Sequence, residues 1–302
     1  MIGIRCIGLR KHFFLLTAYT LVLIGFGIQC VSVDHSPSGE KISRTESEDN
    51  GMSQEKDLEN MIAQGDWKAV ELAIQIGEAA WPSVKQGAKM TDFQSRQISM
   101  VCAGQLGGDT AGEILLTGLG DKHINVSLAA AGQLSKNPPP SALQGILHEL
   151  TTCSEENICA LLALSVGRLP DEASTKALLG LVEGDDDVAK NAQLGLAKLG
   201  HPEYLKTHLS KLASENPHTR YEALAQLVYI DDAKLAENAK RLLSDREVAV
   251  TLGTQYNPRY RRVCDQAVDT LVHLLKLSPP FETNPEQIYS DTELMQINQL
   301  VQ

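Results

Sequence analysis

DDDVAKNAQLGLAKLGHPEYLKTHLSKL, residues 185–212, is the stretch that decides the fold. Its three carboxylates, Asp185 to Asp187, stand where negative charge and capping oxygens favour a helix N-terminus. Val188, Ala192 and Leu196 follow at every fourth position, which puts them on one face of that helix. Leu199-Gly200 ends it, because glycine adopts the positive φ of a terminal turn without steric cost. Pro202 opens a second helix, where a missing N–H is harmless, and Leu205, Leu209 and Leu212 supply its apolar side. Each helix has one apolar face and cannot bury it alone.

The same arrangement recurs along the chain. Apolar triplets spaced four apart fall at Ile98, Cys102, Leu106; Val126, Ala130, Leu134; Ile158, Leu162, Val166; Val188, Ala192, Leu196; Thr219, Ala223, Leu227; and Val263, Ala267, Leu271. Their first positions are separated by 28, 32, 30, 31 and 44 residues. Thr219 alone breaks the apolar rule, and the middle residue is Ala in four triplets, which suits two helices approaching closely. A second amphipathic stretch precedes each triplet, from Ala80, Val84 and Ala88 in the first unit to Leu235, Ala239 and Leu242 in the sixth. Gly77 and Gly107 punctuate helix ends, and Pro82 and Pro140 helix starts. A period near thirty residues, with two helices per period, predicts stacked pairs sharing one core.

Residues 185–212 resemble a HEAT repeat of the type found in phycobilisome lyase-like proteins, and the resemblance covers about residues 65–277. Those repeats carry Asp and then Val-Arg at the start of the second helix, followed by Ala, Leu and Leu-Gly. Here Asp187, Val188, Ala192, Leu196, Leu199 and Gly200 match in the fourth unit; Asp121, Val126, Ala130 and Leu134 in the second; Arg220, Ala223 and Leu227 in the fifth. The arginine is missing from most other units. The resemblance implies an all-α, α-α superhelix: a HEAT-like solenoid of about six helix pairs over residues 57–277.

The flanks read differently. Residues 1–30 hold a basic start (Arg5, Arg10, Lys11) and then an uncharged run from Phe13 to Ile28, the pattern of an export signal. Sixteen helical residues span about 24 Å, less than a bilayer core, which favours a cleaved signal peptide over a retained signal anchor. Cys30 follows directly and admits two readings, lipidation of the cysteine or ordinary cleavage near Ser32. Lipidation or a retained anchor would attach the chain to a membrane through its N-terminus. Residues 31–56 are polar and nearly devoid of apolar side chains, so they are expected to form a disordered linker. Residues 278–302 begin at Pro279-Pro280 and carry Leu294, Ile297 and Leu300, enough for a capping helix.

Chemistry-bearing patterns are few. The chain carries a formal charge of -11, from 27 basic and 38 acidic residues, which opposes nucleic-acid binding unless a basic stripe is hidden in it. Arg259, Arg261 and Arg262, interleaved with Tyr256 and Tyr260, form one short cluster and no stripe. A dinuclear metal site needs several converging imidazoles and carboxylates, whereas the chain has a single His-Glu pair, His148-Glu149. No Gly-x-Ser-x-Gly, Gly-rich phosphate loop or Cys-x-x-Cys is present, so no catalytic, cofactor-binding or metal-binding residue is assigned and no cofactor is expected. Cys153 and Cys159 flank the turn inside the third pair and are read either as a disulfide or as two free thiols. The insertion before Val263 is expected to emerge as a loop, and Tyr256, Asn257, Arg259 and Tyr260 are its candidate partner-contact residues. The expected function is an exported, non-catalytic scaffold holding a protein or peptide; the alternative is a lyase-like or other enzyme built on the same repeats.

Overall fold

The computed structural model describes residues 44–254 and 256–302, with the side chains of residues 44–52 undescribed. Contacts divide the chain into two compact units between His208 and Leu209. The export segment and Cys30 lie outside the described residues. Among the described residues, no helix is long and apolar enough to cross a membrane.

The first unit contains α1 (Arg44–Ala63), α2 (Ala69–Ile76), α3 (Trp81–Gly87), α4 (Phe93–Leu106), α5 (Gly108–Leu119), α6 (Ile124–Lys136), α7 (Leu143–Thr152), α8 (Glu156–Gly167), α9 (Glu172–Leu179) and α10 (Asp187–Lys198). Helices α4, α6, α8 and α10 carry the triplets and pack in succession, while α3, α5, α7 and α9 back them. One apolar cluster runs from Leu58 to Leu196. Ala130, Leu134, Leu162, Ala192 and Leu196 are fully buried in it. Small residues set the spacing. A Cβ on Gly195 of α10 would sit 2.9 Å from Leu178 Cδ1 and 3.2 Å from the Gly167 Cα, so the two chains approach as closely as main chains can.

The described residues open at Arg44 with helix α1, within the stretch 31–56 expected to be a linker; residues 31–43 of that stretch lie outside the described residues. The mean hydropathy of this helix is low, but Leu58 and Ile62, one turn apart, are completely buried. Packing of that last turn against α2 and α3 outweighs the weak local signal.

The second unit holds the last turn of α11 (Pro202–Ser210), then α12 (Pro217–Ile230), α13 (Ala236–Lys240), β1 (Val248–Thr254), β2 (Asn257–Arg262), α14 (Val263–Leu275) and α15 (Asp291–Leu300). Helices α12 and α13 both pack on α14, burying Ala223, Leu227, Val263, Ala267 and Leu271. Helix α15 buries Leu294 and Ile297, and its Ser290-Glu293 capping box closes its first turn.

A register emerges at the second-helix starts that the triplets do not reveal. Arg96 lies four residues past the N-cap Asp92, and Arg220 four past the N-cap Asn216. Each guanidinium reaches back six positions: Arg96 Nη1 donates to the carbonyls of Met90 (2.9 Å) and Thr91 (2.7 Å). Arg220 Nη1 donates to Ser214 (2.7 Å) and Glu215 (3.1 Å). Each also reaches forward to the next pair, Arg96 to both oxygens of Asp121 and Arg220 to Asp245 and Glu247. Ser127 holds the same slot in α6 and donates to Asp121 O at 3.0 Å. Cys159 holds it in α8 and is bonded to Cys153, again six positions back. In α4, α6, α8 and α12 the slot therefore fastens the helix start to the turn before it, with an arginine, a hydroxyl or a covalent bond; in α10 and α14 it holds Lys190 and Gln266, which pair within their own helices.

The Arg96–Asp121 pair is largely buried, at 8% and 13% side-chain exposure, so removing one partner strands the other. Arg96→Met should lower unfolding stability by about 3 kcal/mol, read from urea denaturation. The hydrogen bond from Arg96 holds the Asp121 carboxyl below its ordinary value of 3.8. The stability it contributes is therefore present above that value and is lost as pH falls through the depressed pKa. Thermal melts between pH 5 and 2 should show this acid loss in the native chain and a shallower one in Asp121→Asn.

Candidate functional site

The insertion before α14 is a β-hairpin and not a loop. β1 pairs antiparallel with β2, Thr254 opposite Asn257 and Leu252 opposite Arg259, with an irregularity between Val248 and Val250. The β-branched residues Val248, Val250, Thr251 and Thr254 suit a strand. Gly253 adopts φ +84°, and a Cβ there would sit 2.5 Å from Asn257 O, so the tip requires glycine. The hairpin begins and ends at one place: Val263 N donates to Glu247 O (3.1 Å) and Cys264 N to Asp245 O (2.9 Å). The insertion therefore leaves Asp245 in position for Arg220.

A two-stranded hairpin is marginal by itself in water, so its foot must be held. Arg261, 1% exposed, does this. Its guanidinium donates to Tyr221 Oη at 3.1 Å, to Pro285 O and to the Asp269 carboxylate, and it lies 5.6 Å from the Tyr221 ring centre. Tyr289 Oη donates to the other Asp269 oxygen at 2.6 Å. Arg262 pairs with the fully buried Asp265, which also accepts from Tyr289 N. Arg259 pairs with Glu286 at 2.6 Å. Residues 285–289 thus form a strap across the foot. Burial pushes the Asp269 carboxyl up while Arg261 and Tyr289 pull it down, so its charge depends on those partners.

Of the expected contact residues, Tyr256, Asn257 and Arg259 sit toward the tip of this element and Tyr260 midway along β2, beside the foot. Tyr256 is 89% and Tyr260 54% exposed, Asn257 is exposed in the pairing next to the tip, and Arg259 is tied to Glu286. The three arginines of the cluster each face a carboxylate, so the hairpin offers no basic stripe. Arg96, Asp245, Asp265, Asp269 and Tyr289 belong to no motif read from the sequence. Arg96 shares with Arg220 a position four residues past a helix N-cap, which is visible only once the helix starts are known.

Elsewhere the structure joins Cys153 to Cys159 in a disulfide, while Cys102 and Cys264 are free and buried. Burial pushes the Cys102 thiol up to about 12, which makes it a packing residue. Two open depressions in the first unit share Asp109. One of about 300 Å³ is lined by Asp109, Glu113, Leu116 and Ser141, and one of about 350 Å³ by Glu78, Trp81, Leu106 and Gly108. In the first of them Ser141 Oγ donates to Asp109 Oδ1 at 2.6 Å, an exposed pair. Among the described residues, no three His, Cys, Asp or Glu side chains converge as a metal site would require.

No family model matches the chain. No curated protein matches it either. Among solved structures, the complex of CpcE and CpcF of phycocyanin lyase from Nostoc sp. PCC7120 is similar, with 15% identity and a TM-score of 0.51, over 90% of this chain and 100% of that one. An engineered protein is 18% identical over 78% of this chain and 93% of its own, with a TM-score of 0.35, too low to establish a shared arrangement. The fold is thus all-α and built of HEAT-like repeats. The likeness also corrects the expectation that the chain is not an enzyme. That expectation rested on missing catalytic motifs, and a fold shared with a phycocyanin lyase removes its basis, because one architecture hosts binding and catalysis alike.

Replacing Arg261 by Met should cost about 3–5 kcal/mol by stranding Asp269. Hydrogen exchange should rise in residues 248–262 and 285–289 together, because one guanidinium holds both segments; a rise in the hairpin alone contradicts the strap.

Proposed function

We propose that this chain is a HEAT-like repeat protein that binds a protein partner through the hairpin Val248–Arg262. The observation that carries this reading is the pairing of a firmly held foot with exposed aromatic residues: Arg261 is buried at the foot, while Tyr256 stands in solvent at the tip and Tyr260 in solvent midway along β2. Exposed tyrosines on a preorganised element make effective anchors, since they offer large contact area and lose little conformational freedom on binding. The neighbouring structure is itself a complex of two subunits, which supports a protein as the partner. The setting is extracytoplasmic in this reading. The basic-then-apolar segment at residues 1–30 and the Cys153–Cys159 bond both support it, because disulfides persist in oxidising compartments.

A second reading is favoured by the shared fold: an enzyme of the lyase type, working as one subunit of a pair. In that case the hairpin serves the subunit contact and the reaction belongs to the assembled complex.

A photoreactive amino acid at position 256 should crosslink one specific protein in intact cells, while the same probe at exposed Trp67 should not. With that protein purified, Tyr256→Ala and Tyr260→Ala should each weaken binding about tenfold or more without changing the thermal melt. Undiminished binding by the double variant sinks the proposal.

A further inference from the structure

Helix α8 differs from the other second helices in how its start is secured. Helices α4, α10 and α12 have N-cap side chains that accept backbone N–H groups: Asp92 from Ser95, Asp186 from Ala189 and Asn216 from His218. Helix α14 has a capping box. Helix α6 lacks a capping side chain, but Asp121 accepts from His123 N at 2.8 Å and Ser127 fastens the turn. For α8, the N-cap Glu155 makes no capping hydrogen bond, and the slot that holds Arg96, Ser127 and Arg220 in α4, α6 and α12 holds Cys159. Cys153 is also the residue that ends α7. The forward anchor is missing too: the position matching Asp121, two residues before the next N-cap, is Gly184.

We propose that the Cys153–Cys159 bond is a redox-operated fastener, which locks the α7–α8 turn when oxidised and releases the first turn of α8 when reduced. Where the other starts are held by hydrogen bonds indifferent to redox conditions, this one hangs on a bond that thiols can cut. Both cysteines are partly exposed, so small thiols reach them, whereas Cys102 and Cys264 are buried. A dithiol attacks one sulfur, its second thiol resolves the mixed disulfide, and the reductant leaves as a disulfide with Cys153 and Cys159 as two thiols. The first turn of α8 then holds an exposed Glu156 and Asn157, and nothing in the slot secures it. Local opening should follow without global unfolding, because Leu162, Ala163 and Val166 further along α8 remain packed in the core.

The test is hydrogen exchange of the purified full chain with and without dithiothreitol. Reduction should speed exchange at Ile158–Ala160 at least tenfold, while residues 93–106 and 217–230 keep their rates. Unchanged exchange at Ile158–Ala160 overturns the proposal, and so does a rise throughout the chain, which makes the bond a general staple. Two double variants separate the fastener from a bystander. Cys153→Ser with Cys159→Ser should match the reduced chain in both conditions. Cys153→Ser with Cys159→Arg puts into the slot a side chain that can reach the carbonyls of residues 153 and 154, and it should exchange slowly with or without reductant. Fast exchange in the arginine variant contradicts the equivalence of the slots.

Discussion

Everything in the first unit depends on how closely the second helices approach one another. Amphipathic helices of this length are unstable alone, so each is stable only while neighbours cover its apolar face. Ala130 and Ala192, in the middle of two of the unit's four triplets, and glycine at position 195 allow that approach; larger side chains at these positions would hold the helices apart and open voids. Side-by-side contact still leaves each helix free to slide or fray at its first turn. The slot four residues past the N-cap answers this in α4, α6, α8 and α12 by fastening the start to the turn that precedes it, and in two of these to a carboxylate of the pair that follows.

The hairpin follows from the same device. A long insertion between Asp245 and α14 would be expected to disturb the register, since Asp245 must meet Arg220 and α14 must still begin at Val263. Antiparallel pairing solves this by returning the chain to its starting point, and the strap at residues 285–289 then fixes the foot through Arg261 and Arg262. An element added in this way can project aromatic residues without weakening the repeat from which it grows. That separation of support from contact is what makes it suitable as a binding element.

The repeat itself was legible in the sequence because four-residue spacing is a strong signal over six occurrences. Of the eighteen triplet positions, Leu106, Val188 and Thr219 are only partly buried, and each lies at the first or last position of its triplet, where helix ends reach solvent. The fasteners were not legible, for a geometric reason. Arg96 stands two residues before its triplet and Arg220 one residue after the first member of its own, so aligning the apolar positions puts them out of register. Aligning the N-caps brings them together. The hairpin was obscured by its turn, where Gln255-Tyr256 lacks the Asn-Gly or Asp-Gly that marks a tight connection. Helix α1 escaped notice because its polar composition resembles a linker until Leu58 and Ile62 are seen to be buried.

The central claim, that second helices touch through residues too small to be replaced, is tested most directly by enlarging one of them. Equilibrium unfolding of Ala192→Leu, with the partly exposed Ala129→Leu as the control, measures it. The account predicts a loss of about 2 kcal/mol or more for Ala192→Leu and little change for the control. Equal stability of the two variants would contradict it.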